Sequence, residues 1–238
     1  MPRRLAPQDI VFAGLFVLAI LLTIGAIEFV FLRAPIEAHM GIIQKVFYFH
    51  VPSAYAMYLG ATGCFVGSTA YLYKGSDKHD AIARAGAETA VVFGIIVMVT
   101  GPLWAIKAWG QYWTWDPRLT TSLLSVLIYV AYMVLRAFGG DGEAERKFAA
   151  ALGFLGGANL PIIHFSVQKW SGQHPKVIGR GGGGLHHPDM RIAFAMGMIA
   201  FTFLAAILFW SRLRIALAHG RLVEAEHRAM ELGIGAQD

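Results

Sequence analysis

The sequence predicts an all-α integral membrane protein with six transmembrane helices and with both termini in the cytoplasm. Apolar residues make up 56% of the chain and charged residues only 15%, whereas a soluble domain is about half apolar and about a quarter charged. The apolar residues form segments of about the 20 residues that a helix needs to cross a bilayer. Such segments lie at 11–31, 46–73, 85–103, 119–138, 148–165 and 192–210. We therefore expect a transmembrane domain over 1–212 and a cytoplasmic tail over 213–238.

The positive charges between these segments predict the orientation, because Lys and Arg accumulate in cytoplasmic loops. With a cytoplasmic N-terminus, twelve of them fall inside: Arg3, Arg4, Lys74, Lys78, Arg84, Arg136, Arg146, Lys147, Arg212, Arg214, Arg221 and Arg228. Eight fall outside: Arg33, Lys45, Lys107, Arg118, Lys169, Lys176, Arg180 and Arg191. The bias favours a cytoplasmic N-terminus and C-terminus. The net charge of +5 is thus explained by loops beside membrane lipid and does not indicate nucleic-acid binding.

Most of the tryptophans lie on the outer side in this orientation. Five of the six are in or beside outer segments: Trp104, Trp109, Trp113, Trp115 and Trp170. An interfacial aromatic belt accounts for one or two per side but poorly for this asymmetry. The segment "WGQYWTWDPRLT", at 109–120, is the densest part. Because large rings each bury about 150–250 Å², such a segment suits a broad, flat, apolar ligand.

Two of the nine histidines lie in apolar sequence at matching outer depth. His50 is near the start of the second segment, in "FYFHVPSAY", and His164 is at the end of the fifth, in "LPIIHFSVQKW". A polar side chain at such a place needs a partner. Neutral imidazole is a good ligand for iron, copper and zinc. Two imidazoles are too few for a closed zinc site, but they suit haem, whose porphyrin supplies four nitrogens. His174, in an outer loop, is expected to be solvated.

The residues around the tryptophans have local structural interpretations. Asp116 and Pro117 open the fourth segment as an N-cap and a first helical residue. Trp109 and Trp113 are four apart, so a helical turn would place both on one face. Gly110 would let the backbone approach a neighbour closely. Arg118 is a candidate partner for a haem propionate.

Several chemistries are excluded by missing motifs. The single cysteine, Cys64, cannot form an internal disulfide, and no C-x-x-C or C-x-x-C-H is present, which excludes thiol–disulfide exchange and a c-type cytochrome. The chain has no G-x-x-x-x-G-K-[ST] motif and therefore no P-loop for ATP.

Three separated motifs resemble those of one family. The stretch "WGQYWTWDPRLTTSLL" resembles the WWD signature of membrane haem-handling proteins in cytochrome c biogenesis. The stretches "FHVPSA" and "NLPIIHFSVQKW" resemble the histidine segments that flank this signature. All three occur in the same order and cover the six-segment core, and the length of the chain is similar to that of the small members of the family.

The resemblance implies a protein of the bacterial inner membrane that is not itself an enzyme. It implies haem b on the periplasmic face, with His50 and His164 as axial ligands. The residues that match the WWD domain are Trp109, Gly110, Trp113, Trp115, Asp116, Pro117 and Arg118, within a loop at about 104–120. It also implies delivery of haem to a periplasmic haem chaperone, protein E. The implied partners are the ATP-binding cassette proteins A and B, which hydrolyse ATP, and the single-span protein D.

Two other functions remain open from the residues alone. A membrane cytochrome b that transfers electrons also uses histidine pairs, but it usually needs a second pair near the inner face, which the sequence lacks. A transport permease without a cofactor could line a substrate path with the same aromatic residues and histidines.

Overall fold

The computed structural model describes residues 6–140, 142–170, 174 and 184–232, with residues 167, 168 and 227 described by their backbone alone. These residues form the long helices α1 (Pro7–Glu28), α2 (Phe47–Lys74), α3 (Asp77–Trp109), α4 (Pro117–Phe138), α5 (Glu143–Lys169) and α6 (Pro188–Glu231). A π-helical turn, Phe29–Arg33, continues α1, and a 3-10 helix, Ile42–Val46, leads into α2. Extended pairing within the described residues is limited to an isolated bridge between Glu37 and Gly41. The all-α prediction is confirmed.

Within the described residues, five helices are long and apolar enough to cross a membrane: Pro7–Arg33, Asp77–Trp109, Pro117–Phe138, Glu143–Ser166 and Pro188–Glu231. The remaining helix, α2, has 28 residues, which is sufficient length, but it contains five tyrosines, more than any other helix of the bundle. It packs against α3, α5 and α6. A helix surrounded by other helices presents little surface to lipid, so it does not need the apolar composition by which the other five are recognised.

The closest contact in the bundle is between α2 and α3, and glycines make it possible. A Cβ atom on Gly86 would lie 2.2 Å from the backbone nitrogen of Cys64, and one on Gly67 would lie 2.4 Å from that of Ala83. On Gly60 the same atom would lie 2.6 Å from the nitrogen of Ala90. Small residues at such positions let helix backbones meet, which maximises van der Waals contact in a membrane.

Ion pairs join the helices at one end of the bundle, which we call the charged end and which contains the loop at 75–76 and residues 139, 140 and 142. Asp80, in the first turn of α3, accepts a 3.0 Å hydrogen bond from Arg136, in the last turn of α4, and both side chains are buried. Glu88 pairs with Arg212 of α6 and lies 3.6 Å from Arg84. The helix α6 continues without a break through the predicted domain boundary at residues 212–213, and residues 233–238 lie outside the described part.

Candidate functional site

A cavity of about 680 Å³ lies at the opposite end, which we call the aromatic end and which contains the loop at 110–116. Its wall is mainly apolar and is formed by α2, α3, α4 and α5, with Met198 from α6. It brings together five of the residues predicted from sequence: His50, His164, Trp109, Trp113 and Arg118. Pockets that enclose an organic ligand usually measure about 300–1,000 Å³, so the cavity has the size of a ligand site.

His50 is positioned by the first turn of α2 and by its contact with α3. Its Nδ1 atom lies 2.8 Å from the Oγ1 atom of Thr100. A Cβ atom on Gly101 would lie 3.3 Å from Cε1 of the imidazole. The ring therefore packs against α3 near the aromatic end and forms part of the cavity wall.

His164 lies near the C-terminal end of α5, at the aromatic end of the bundle. Its side chain lines the cavity but is exposed, with its ring 4.9 Å from that of Phe165 in an edge-on arrangement. Its backbone carbonyl accepts a 3.2 Å hydrogen bond from Nη2 of Arg118. The histidine is thus available at the mouth of the cavity rather than deep within it.

Arg118 joins α4 to α5 through that bond and also faces the cavity. Its Nε atom is buried and has no hydrogen-bond partner among the described residues. Buried polar atoms are normally satisfied, and a guanidinium nitrogen is satisfied best by an anion such as a carboxylate. The arrangement therefore fits a ligand that carries an acidic group.

The tryptophans of the loop occupy different positions. Trp109 and Trp113 line the cavity, whereas Trp115 is 77% exposed and lies outside the cavity wall. Trp115 packs edge-on to Trp113, with ring centroids 5.8 Å apart, and Trp104 packs in the same way against Trp109. The prediction that Trp109 and Trp113 share a helical face is wrong, because α3 ends at Trp109. The loop that follows brings both indoles to the same cavity.

Gly110 and Asp116 shape this loop at its two ends without lining the cavity. Gly110 follows α3 with φ +75°, and its N–H donates a 3.0 Å hydrogen bond to the carbonyl of Ile106. Nothing lies within 4 Å of a Cβ atom built there. The expected close approach is therefore wrong, and the glycine is explained by its left-handed backbone at the helix end. The N-cap prediction for Asp116 is confirmed, since its carboxylate accepts a 2.8 Å bond from the N–H of Arg118.

The structure places a third histidine, His174, on the cavity wall. The prediction that this side chain is solvated is wrong. Its half-buried ring packs edge-on to Trp109 at 6.1 Å, and its Nδ1 atom is buried without a hydrogen-bond partner among the described residues. Burial lowers the pKa of His174 to about 4, so it is neutral near pH 7, the form in which imidazole binds metals. No sequence signal marks this residue, because its neighbours in the sequence are mainly polar and carry no recognisable motif.

The site fits a flat ligand that brings its own metal coordination. Within the described residues, no group of three or more His, Cys, Asp or Glu side chains could hold a bare metal ion. The cavity nevertheless offers imidazoles, indoles and a guanidinium, which match the iron, the macrocycle and the propionates of haem. Helices of membrane-spanning length around such a cavity define a multi-pass membrane protein of the haem-handling class.

Comparison with known proteins identifies the family within this class. The chain belongs to the Heme exporter protein C family, whose family model matches residues 3–228. It is 31% identical to the Heme exporter protein C of Bradyrhizobium diazoefficiens over 223 residues, which is 91% of this chain and 84% of the relative. It is 32% identical to that of Escherichia coli K12 over 202 residues, covering 82% and 78%. A "putative cytochrome c biosynthesis ccmC-like mitochondrial protein" of Marchantia polymorpha is 30% identical over 177 residues, covering 74% and 75%.

Membership in this family confirms the resemblance drawn from the WWD and histidine motifs. The protein is a transmembrane component of haem transport and cytochrome c biogenesis, and it is not itself an enzyme. The long apolar helices agree with a multi-pass protein of the inner membrane.

Proposed function

We propose that this protein holds haem b in the cavity of the aromatic end, at the periplasmic face of the inner membrane, and delivers it to the haem chaperone, protein E. The observation that carries the proposal is the convergence of two predicted histidines, two tryptophans and Arg118 on one apolar cavity. In this proposal the bundle crosses the membrane six times, with both termini in the cytoplasm.

His50 and His164 are the axial ligands in this proposal. When bound, haem supplies an iron with two axial positions, each of which accepts one neutral imidazole nitrogen. His174 is a second candidate for the ligand that would bind the iron together with His50, because it is more buried than His164 and has an unsatisfied ring nitrogen on the cavity wall. A ligand at the exposed mouth, such as His164, is easier to exchange during transfer to another protein.

The other site residues hold the macrocycle. Trp109 and Trp113 cover its faces through broad apolar contacts, and Arg118 binds a propionate at the wet edge. Gly110 and Asp116 fix the path of the loop, and the exposed Trp115 stands at its rim. Binding through many weak contacts and a few exchangeable ligand bonds suits a protein that must release its cargo.

The protein works with ATP-binding cassette proteins A and B and with the single-span protein D in this proposal. The chain has no P-loop motif, so ATP hydrolysis falls to the partner subunits. Release of the loaded chaperone is then driven by the complex rather than by this chain alone.

The ligation is tested by single replacements of His50, His164 and His174 with alanine, and the exposed His186 serves as control. We expect His50→Ala to lower haem content and added imidazole to restore part of it. The same loss in His164→Ala or in His174→Ala identifies the second ligand. Wild-type haem content in all three variants contradicts the ligation. A purified protein with no Soret band would favour a permease, and rapid reduction by quinol would favour a cytochrome b.

The orientation is tested by reporter fusions. Fusions after Lys78 and after Arg146 should report the cytoplasm, and fusions within 105–118 should report the periplasm. Opposite signals would place the cavity at the cytoplasmic face and would refute delivery to a periplasmic chaperone from this site.

A further inference from the structure

The Thr100 hydroxyl lies between His50 and the backbone of α3. Its Oγ1 atom is 2.6 Å from the carbonyl oxygen of Ile96, one turn earlier in the helix, and 2.8 Å from Nδ1 of His50. Both distances are within hydrogen-bond range. The hydroxyl therefore takes part in two hydrogen bonds at once.

The donor and acceptor roles follow from the single proton of a hydroxyl group. A carbonyl oxygen can only accept, so the short contact between Oγ1 and the oxygen of Ile96 requires the Thr100 proton to lie between them. Oγ1 must then accept from His50, and Nδ1 of His50 must carry the donated proton. In a neutral imidazole with a proton on Nδ1, the lone pair is on Nε2.

The position of the His50 ring directs the lone pair of Nε2 away from α3. Gly101 provides the space, because a Cβ atom there would lie only 3.3 Å from Cε1 and 4.0 Å from Nδ1 of His50. The edge of the ring that carries Nδ1 thus faces α3, and Nε2 lies on the far side from Thr100. Nε2 makes no hydrogen bond to any described residue, while the ring lines the cavity.

We propose that Thr100 is a positioning residue that holds His50 in the Nδ1–H tautomer, so that Nε2 is presented to the haem iron. The proposal rests on the proposed function, in which His50 is an axial ligand. A hydrogen bond from the second ring nitrogen fixes both the tautomer and the orientation of a metal-binding histidine, and loss of such a partner typically lowers metal affinity by about 10- to 100-fold.

Three variants separate this role from a packing role. Thr100→Val keeps the shape of the side chain and removes the hydroxyl, and Thr100→Ser keeps the hydroxyl. The matched control is Thr89→Val, since Thr89 lies on the same helix and makes the same type of bond, 2.8 Å to the carbonyl of Ala85, without a histidine partner. Each variant is measured in lipid nanodiscs.

The first measurement needs no haem. Nitrogen-15 NMR of labelled histidine, with the His50 signals assigned by their loss in His50→Ala, should show a protonated Nδ1 and an unprotonated Nε2 in the wild type, in Thr100→Ser and in Thr89→Val. Thr100→Val should give a mixture of both tautomers. A wild-type His50 with its proton on Nε2 would overturn the proposal.

The second measurement is haem affinity, from the rate of haem loss to excess apomyoglobin. Thr100→Val should lower the affinity by about 10- to 100-fold, and Thr100→Ser and Thr89→Val should stay close to the wild type. If Thr100→Val keeps wild-type affinity while His50→Ala loses haem, the positioning role is refuted and the ligation by His50 stands. If His50→Ala keeps its haem, the proposed ligation fails, and a role for Thr100 in it fails as well.

Discussion

Trp113 and Trp115 allow a sharp test of the proposal that the cavity holds haem. They are two residues apart and of the same type, but Trp113 lines the cavity and Trp115 is 77% exposed outside its wall. Trp113→Ala removes an indole that lines the cavity, whereas Trp115→Ala removes one that contacts Trp113 from outside the cavity wall. We therefore expect the two variants to differ, although the sequence alone assigns both residues to the same role.

The expected loss of haem-binding free energy follows from the area of the indole that the ligand would cover. A tryptophan side chain buries about 150–250 Å² in all, so one covered face corresponds to about 75–125 Å². At about 25 cal/mol per Å², Trp113→Ala loses about 2–3 kcal/mol of binding free energy, which weakens haem binding roughly 25- to 150-fold. Trp115→Ala changes a surface position, where substitutions usually change free energies by about 0.5 kcal/mol or less, equivalent to about twofold.

The assay is the haem content of each purified variant, followed by the rate of haem loss to apomyoglobin. The oxidised and reduced spectra of the remaining haem should match those of the wild type, because both substitutions leave the histidines in place. A loss in Trp115→Ala equal to or greater than that in Trp113→Ala would refute the assignment of Trp113 to the ligand wall. Full haem content in both variants would show that the indoles serve only as a membrane belt.

The contact between α2 and α3 and the role proposed for Arg118 each give a further prediction. Gly86→Val should sharply reduce the yield of folded protein extracted in mild detergent, because its Cβ atom would lie 2.2 Å from the backbone of Cys64. The control Gly14→Val should give a normal yield, because nothing lies within 4 Å of a Cβ atom there. Equal yields of the two variants would contradict the close contact of α2 and α3. If the proposed function holds, Arg118→Ala should retain haem but load the chaperone poorly, because the guanidinium proposed to orient a propionate is lost. Covalent haem on protein E measures this transfer, and a wild-type level would remove the role of Arg118.

The sequence by itself determined the features that depend on local chemistry. The long apolar segments specify helices, because a helix satisfies its own backbone hydrogen bonds in an apolar environment. Asp116 and Pro117 specify the start of α4, because an N-cap acts on backbone groups two or three residues away. The WWD and histidine motifs also sufficed to indicate the family. Each of these signals is contained within a short stretch of chain.

The tertiary structure alone decided which side chains face the cavity. The loop at 110–116 is not helical, so no periodicity could separate Trp113 from Trp115. His174 lines the cavity although it is ten residues from His164 in the sequence, and Thr100 contacts His50 across fifty residues of sequence. The tyrosine-rich α2 likewise owes its neighbours in α3, α5 and α6 to the tertiary packing. These features depend on contacts between distant segments, and the packing that creates such contacts is not encoded in any single window of the sequence.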